Sequence, residues 1–125
     1  LSSDILRREF LLTLGEAYSQ YGYPEYCGWV EGLLLLEQQE WTQQGISERL
    51  SELLPEPQYP TSVPSVNRAL KILTSYGIVK QEGSRKSGYV YCLVDSASVA
   101  ASIVEQMAVI NTQFIRGMAK LRARN

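Results

Sequence analysis

The chain has 125 residues, enough for one domain with a real core, and a formal net charge of −1 with no histidine. Without histidine the commonest general base and metal ligand is missing. The two cysteines, Cys27 and Cys92, lack metal-binding spacing, and no phosphate-cradling glycine loop occurs, so neither an enzyme nor a bound cofactor or metal is expected. No apolar run approaches the ~18 residues of a membrane span, so the expectation is a cytoplasmic protein with reduced thiols, no signal peptide and no membrane partner.

The first predicted helix is capped by Ser3 or Asp4 and runs to about Gly22, where Gly22-Tyr23-Pro24 breaks it. Leu6, Phe10, Leu14, Ala17 and Tyr21 recur at helical spacing and give it one apolar stripe. The unit that follows reads as complete without this helix, which leaves the stripe for a subunit interface or for the last helix. Pro24 and Gly28 frame a predicted turn. A second helix then runs from Trp29 to Gln39, apolar nearly all round and therefore central to the core.

Glu40-Trp41-Thr42 is read as a short strand, after which Thr42 caps a third helix, Gln43 to about Leu54. Four of the five prolines fall between Pro55 and Pro64, which predicts an extended loop. Pro64 then suits the first turn of a fourth helix capped by Ser62 or Val63. Val66, Leu70, Leu73 and Tyr76 form its inward face, Asn67, Arg68 and Lys71 lie opposite, and Gly77 stops it. Ile78 to Glu82 and Tyr89 to Val94 read as two strands around Gly83-Ser84-Arg85-Lys86-Ser87-Gly88. A last helix, capped by Asp95 or Ser96, carries Val99, Ile103, Met107, Ile110, Phe114, Met118 and Leu121 in a narrow stripe. At about 25 residues it would span about 37 Å, more than the small core can cover, so it is expected to pack on the first helix and on a second subunit.

The predicted fold class is therefore mainly α with a small β-hairpin wing. It is a winged helix-turn-helix core (28–94) flanked by an N-terminal helix (1–22) and a C-terminal dimerisation helix (96–125), all in one domain. Charge divides along the same lines. Residues 1–60 hold three basic and ten acidic side chains, residues 61–94 five and one, and residues 95–125 four and two. The positive excess thus falls on the predicted reading helix and wing, an arrangement that steers a protein to phosphates.

Two stretches resemble the MarR-type winged-helix regulators, in particular their GbsR-like branch. Gly22-Tyr23-Pro24 with Gly28-Trp29-Val30-Glu31-Gly32-Leu33-Leu34-Leu35-Leu36 resembles the segment leading into the branch's first core helix. Ser65-Val66-Asn67-Arg68-Ala69-Leu70-Lys71-Ile72-Leu73 with Tyr76-Gly77-Ile78-Val79 resembles its recognition helix and the turn into the wing. The resemblance implies a homodimer joined through its terminal helices, recognition helices in successive major grooves of an inverted repeat, and a small-molecule effector between the dimer helices and the DNA-binding lobe. The proline-rich insertion before Pro64 departs from the pattern.

On these grounds double-stranded DNA is the expected partner. Asn67 and Arg68 suit base edges, since asparagine pairs with adenine and arginine with guanine. Ser65 and Lys71 suit phosphates, Arg85 and Lys86 suit phosphate or minor groove, and Gln43 and Gln44 are further backbone candidates. Tyr18, Tyr21, Tyr26 and Trp29, with Tyr23 among them, are candidates for an effector pocket, against the plainer reading of helix packing. Leu6, Phe10, Leu14, Met107, Ile110, Phe114 and Met118 are the expected dimer contacts. Acidic residues read as solvated helix surface. The rival readings are a winged-helix module that docks proteins and an architectural DNA binder without base preference.

Overall fold

The computed structural model describes residues 3–94. The predicted last helix, with Met107, Ile110, Phe114 and Met118, lies outside the described residues. Four helices and a hairpin follow in order: α1 (Ser3–Gln20), α2 (Glu25–Leu36), α3 (Gln43–Leu53), α4 (Val63–Ser75), β1 (Val79–Ser84) and β2 (Gly88–Leu93). No helix among the described residues is long and apolar enough to cross a membrane.

Two helices end in the same way. Gly22 (φ +85°) and Gly77 (φ +73°) take the left-handed conformation just past α1 and α4. Tyr23 N then donates to Tyr18 O and Ile78 N to Leu73 O, with Gly22 N and Gly77 N bonding Ser19 O and Thr74 O. This double hydrogen bond satisfies carbonyls that a helix end otherwise leaves open, and it brings the residue after the glycine back onto the last turn. After α1 that residue is Tyr23, whose ring meets Tyr18 edge-on at 6.1 Å.

The predicted turn at Gly28 is instead helix. Pro24, extended at φ −61° and ψ 143°, caps α2, and Glu25 sits in its first turn, where a carboxylate suits the helix dipole. Gly28 is small because another backbone lies against it. A Cβ there would stand 2.5 Å from Leu14 O and Gly15 N of α1, and one at Gly32 would stand 2.7 Å from the Leu11 side chain. So α1 packs backbone to backbone on α2 and belongs to the core. Leu11 and Leu14 are fully buried, which removes Leu14 from the expected dimer contacts, whereas Leu6 is 66% exposed.

The centre of the core joins Trp29, Val30, Leu33 and Leu34 of α2 to Ile46 and Leu50 of α3 and to Val66, Ala69, Leu70 and Leu73 of α4. Thr42 caps α3 as predicted, its hydroxyl accepting from Gly45 N at 3.0 Å. Of the short strand expected at Glu40-Trp41-Thr42 only a single β-bridge forms: Trp41 and Tyr91 exchange both backbone hydrogen bonds, at 2.9 and 2.7 Å. This seats the hairpin on the helices. Pairing runs from Val79 opposite Leu93 to Ser84 opposite Gly88, so only Arg85, Lys86 and Ser87 form the tip, a shorter turn than predicted.

The proline-rich loop is pinned rather than loose. Tyr59 packs edge-on against Trp29 at 5.4 Å and lies under the Arg8 guanidinium. Ser47 donates to Thr61 O at 2.7 Å. Arg8 also holds Leu53 O and the Glu56 carboxylate, at 3.0 and 2.8 Å. Arg49 binds both oxygens of Glu37 through Nε and reaches Asp4 and Glu52 through its terminal nitrogens, tying α1, α2 and α3 together.

Because a methyl at Gly28 meets backbone that cannot swing aside, Gly28→Ala is expected to destabilise the chain by about 3 kcal/mol. Ser19→Ala, on the exposed side of α1, should change stability by less than about 0.5 kcal/mol. Urea titration followed by tryptophan fluorescence measures both.

Candidate nucleic-acid interface

α4 turns Val66, Ala69, Leu70 and Leu73 inward and leaves Pro64, Arg68, Lys71 and Ser75 outward. Asn67 stands on the flank facing the hairpin. There it lines, with Leu70, Lys71, Thr74, Ser75, Gln81 and Tyr91, a crevice of about 320 Å³. Arg85 and Lys86 are exposed at the hairpin tip, whose shape is set by Ser84 and Ser87: each hydroxyl accepts from the other's backbone N–H at 3.1 Å.

The cations among the described residues fall into two groups. Arg7, Arg8, Arg49 and Lys80 are each within 3.6 Å of a carboxylate. Arg68, Lys71, Arg85 and Lys86 pair with no carboxylate among the described residues. They lie on the outer face of α4 and at the hairpin tip, where an ion pair would have to be broken before a phosphate could bind.

Other expected contacts sit differently. Ser65 is only 5% exposed, and its hydroxyl bonds that of Ser62 at 3.3 Å, so it is held away from the surface where a phosphate would lie. Gln44 is engaged by Glu48 at 3.0 Å. Gln43, by contrast, donates from Nε2 to Asn67 Oδ1 at 3.0 Å and to Tyr91 Oη at 3.1 Å. The link from Gln43 to Asn67 is not visible in sequence, where the two are 24 positions apart.

The aromatic group divides. Tyr18 and Tyr21 line a depression of about 310 Å³ together with Ala17, Tyr23, Tyr76 and Ile78. Trp29, 1% exposed, belongs to the core against Tyr59, and Tyr26 packs on the core instead of lining the depression. Tyr76, expected on the inward face of α4, is 61% exposed because the helix has ended: it is the C-cap, its hydroxyl sharing a hydrogen bond with Tyr23 Oη. Its place beside Gly77 was the available signal. Beneath the depression, Tyr18 Oη donates to Glu31 at 2.5 Å.

Glu31 is 4% exposed, so the reading of every acidic residue as solvated fails there. Burial raises its carboxyl above the ordinary value, partly opposed by the Tyr18 hydrogen bond. Burial and the neighbouring Glu31 also push the Cys27 thiol up, to about 11. Cys92, half-buried on β2, is likewise a free thiol.

Comparison with known protein families and with curated proteins returns no match.

Since the folded chain holds the Glu31 proton to higher pH than the unfolded chain, this group's contribution to stability is whole below the ordinary carboxyl value. It is lost as pH rises toward the folded-state value. Glu31→Gln is therefore expected to flatten the fall in the urea midpoint as pH rises above about 4.

Proposed function

We propose that the chain is a sequence-specific, double-stranded DNA-binding transcriptional regulator that acts as a homodimer on an inverted-repeat operator in the cytoplasm. The supporting observation is the division of cations. Those of the scaffold are ion-paired, whereas Arg68, Lys71, Arg85 and Lys86 are unpaired among the described residues and sit on a helix and hairpin laid out as a reading head and wing. Arg68 is assigned to a base edge, Asn67 to the same groove, and Lys71, Arg85 and Lys86 to the backbone or minor groove. The resemblance to MarR-type regulators of the GbsR-like branch supports the same reading.

The dimer is assigned to α1 and the C-terminal segment. Leu6 and Ile5, 66% and 48% exposed, leave apolar surface on α1 that water covers poorly, with Phe10 half-buried beside it. The depression between Tyr18, Tyr21, Tyr23 and Tyr76 offers apolar walls with hydroxyl tips, suited to a small-molecule effector that would release a repressor from its operator. No catalysis is assigned. The same apolar patch on α1 favours, as the second reading, a winged-helix module that docks proteins.

Selection of bound duplexes from a random pool at two salt concentrations tests the proposal. An enriched inverted repeat with half-sites about one helical turn apart is expected. Arg68→Ala should cost about 1 to 3 kcal/mol and relax one base position. Lys86→Ala should weaken all sequences alike and lower the salt slope by about one. A docking module would enrich nothing, leave both variants silent and respond to Leu6→Asp instead.

A further inference from the structure

The crevice of about 320 Å³ between α4 and the hairpin is lined in part by Lys71 and Thr74 of α4 and Gln81 of β1, all three exposed. Lys71 and Thr74 are three residues apart, so they stand on one face of the helix. Gln81 pairs with Tyr91 across the hairpin, which puts both side chains on the sheet face turned to α4. Strand alternation sends Lys80 and Glu82 to the opposite face, where they pair with each other at 3.1 Å. Glu82 is the one acidic side chain of residues 61–94. No carboxylate among the described residues therefore lines the crevice, and the Lys71 ammonium is its only charge. Two neighbours in the lining are already engaged: Ser75 donates to Ile72 O at 2.7 Å, and Asn67 accepts from Gln43 at 3.0 Å. The wall behind them is fixed in advance. Tyr91, 5% exposed, is held through its backbone by Trp41 and through its hydroxyl by Gln43 at 3.1 Å.

Resting on the DNA reading above, we propose that this crevice seats one phosphate of the DNA backbone, bound by Lys71, Thr74 and Gln81. A phosphodiester offers a negative charge and only acceptors, and the crevice meets it with an ammonium, a hydroxyl and an amide that can each donate. Hydroxyls and amides also accept, so on their own they select no anion. The selection comes from Lys71, whose charge no carboxylate cancels. The place of the crevice in the fold identifies the source of the phosphate. Arg68 lies one turn before Lys71 on α4, and Arg85 and Lys86 lie beyond Gln81 at the tip of the hairpin. A strand that runs from the groove holding Arg68 to the wing tip must cross between helix and hairpin, and the crevice is that crossing. Thr74 and Gln81 are uncharged and carry no signal in the sequence. As phosphate ligands they fix how α4 and the wing are spaced along the duplex, and they read no base.

The experiment measures binding of the full chain to the duplex enriched by selection, intact or with single phosphates replaced in turn by uncharged methylphosphonate. Gln81→Glu brings a carboxylate to the crevice from an exposed strand position at nearly constant volume. It is expected to weaken binding to the intact duplex by about tenfold with base preference unchanged. Most of that loss should vanish on the duplex neutralised at one particular phosphate of each half-site. Thr74→Val deletes the hydroxyl at constant shape. Its effect, about threefold, should depend on that same phosphate, and it carries the test alone if Gln81→Glu does not fold. Lys86→Ala is the comparison, with its effect tied to a different phosphate. The proposal is overturned, and the DNA reading left standing, if Gln81→Glu binds the intact duplex like the wild type or is penalised equally on every neutralised duplex. The same holds if Gln81→Glu and Thr74→Val depend on different phosphates. A wild-type chain that enriches no duplex overturns both.

Discussion

The contact on which the structure depends is the one between the backbones of α1 and α2. Helices usually stand 8–10 Å apart because side chains separate them. Here Gly15, Gly28 and Gly32 remove the side chains at successive turns, and the Leu14 carbonyl reaches the Gly28 backbone. That close approach buries Leu11 and Leu14 beside Trp29 and Leu33 and makes the N-terminal helix part of the core. It also fixes where Tyr18 lies, and through Tyr18 the buried Glu31 and the aromatic depression. α3 is then drawn in by the Arg49 cluster, and α4 packs on the α2 face that remains.

The electrostatics follow the same architecture. Arg7, Arg8 and Arg49 point toward the acidic N-terminal half and are engaged by Asp4, Glu37, Glu52 and Glu56 where helix surfaces meet. Ion pairs of this exposure contribute little to stability one by one. Their effect on the field is larger: they neutralise the cations of α1 and α3 and, among the described residues, leave unpaired cations on α4 and at the hairpin tip. The overall charge of −1 conceals an uneven distribution, in which residues 61–94 hold five basic and one acidic side chain.

Periodicity made most of the elements legible. α3 with its Thr42 cap, α4 with Pro64 in its first turn, the Gly77 stop and the hairpin all follow from local patterns, and local chemistry decides them, while the strand expected at Trp41 is reduced to a single bridge. What sequence concealed was tertiary. Gly28 looks like a turn residue, and only the neighbouring helix shows why it sits inside α2. Glu31 looks like any surface carboxylate, and only the packing of Tyr18 against α2 shows that it is buried. Trp29 and Tyr21 belong to one aromatic run, yet one is core and the other surface, because the turn at Gly22 divides them. In the candidate interface, Arg68, Lys71, Arg85 and Lys86 were legible as cations on exposed elements. Ser65 was misread, since the first turn of α4 rotates it inward, and the hydrogen bonds from Gln43 to Asn67 and to Tyr91 cross three elements.

The loop between α3 and α4 bears on how firmly α4 is held. Nine residues between two helices would ordinarily leave the second helix on a slack tether. Three of these nine are proline, whose ring restricts φ even in the unfolded chain, so there is less conformational entropy to lose when the segment is fixed. Tyr59 against Trp29 and Thr61 against Ser47 and Ser51 then fasten it at two points just before α4 starts. The insertion therefore behaves as a strut. It carries the rigidity of the core across to α4, and the helix is placed about as stiffly as a short turn would place it.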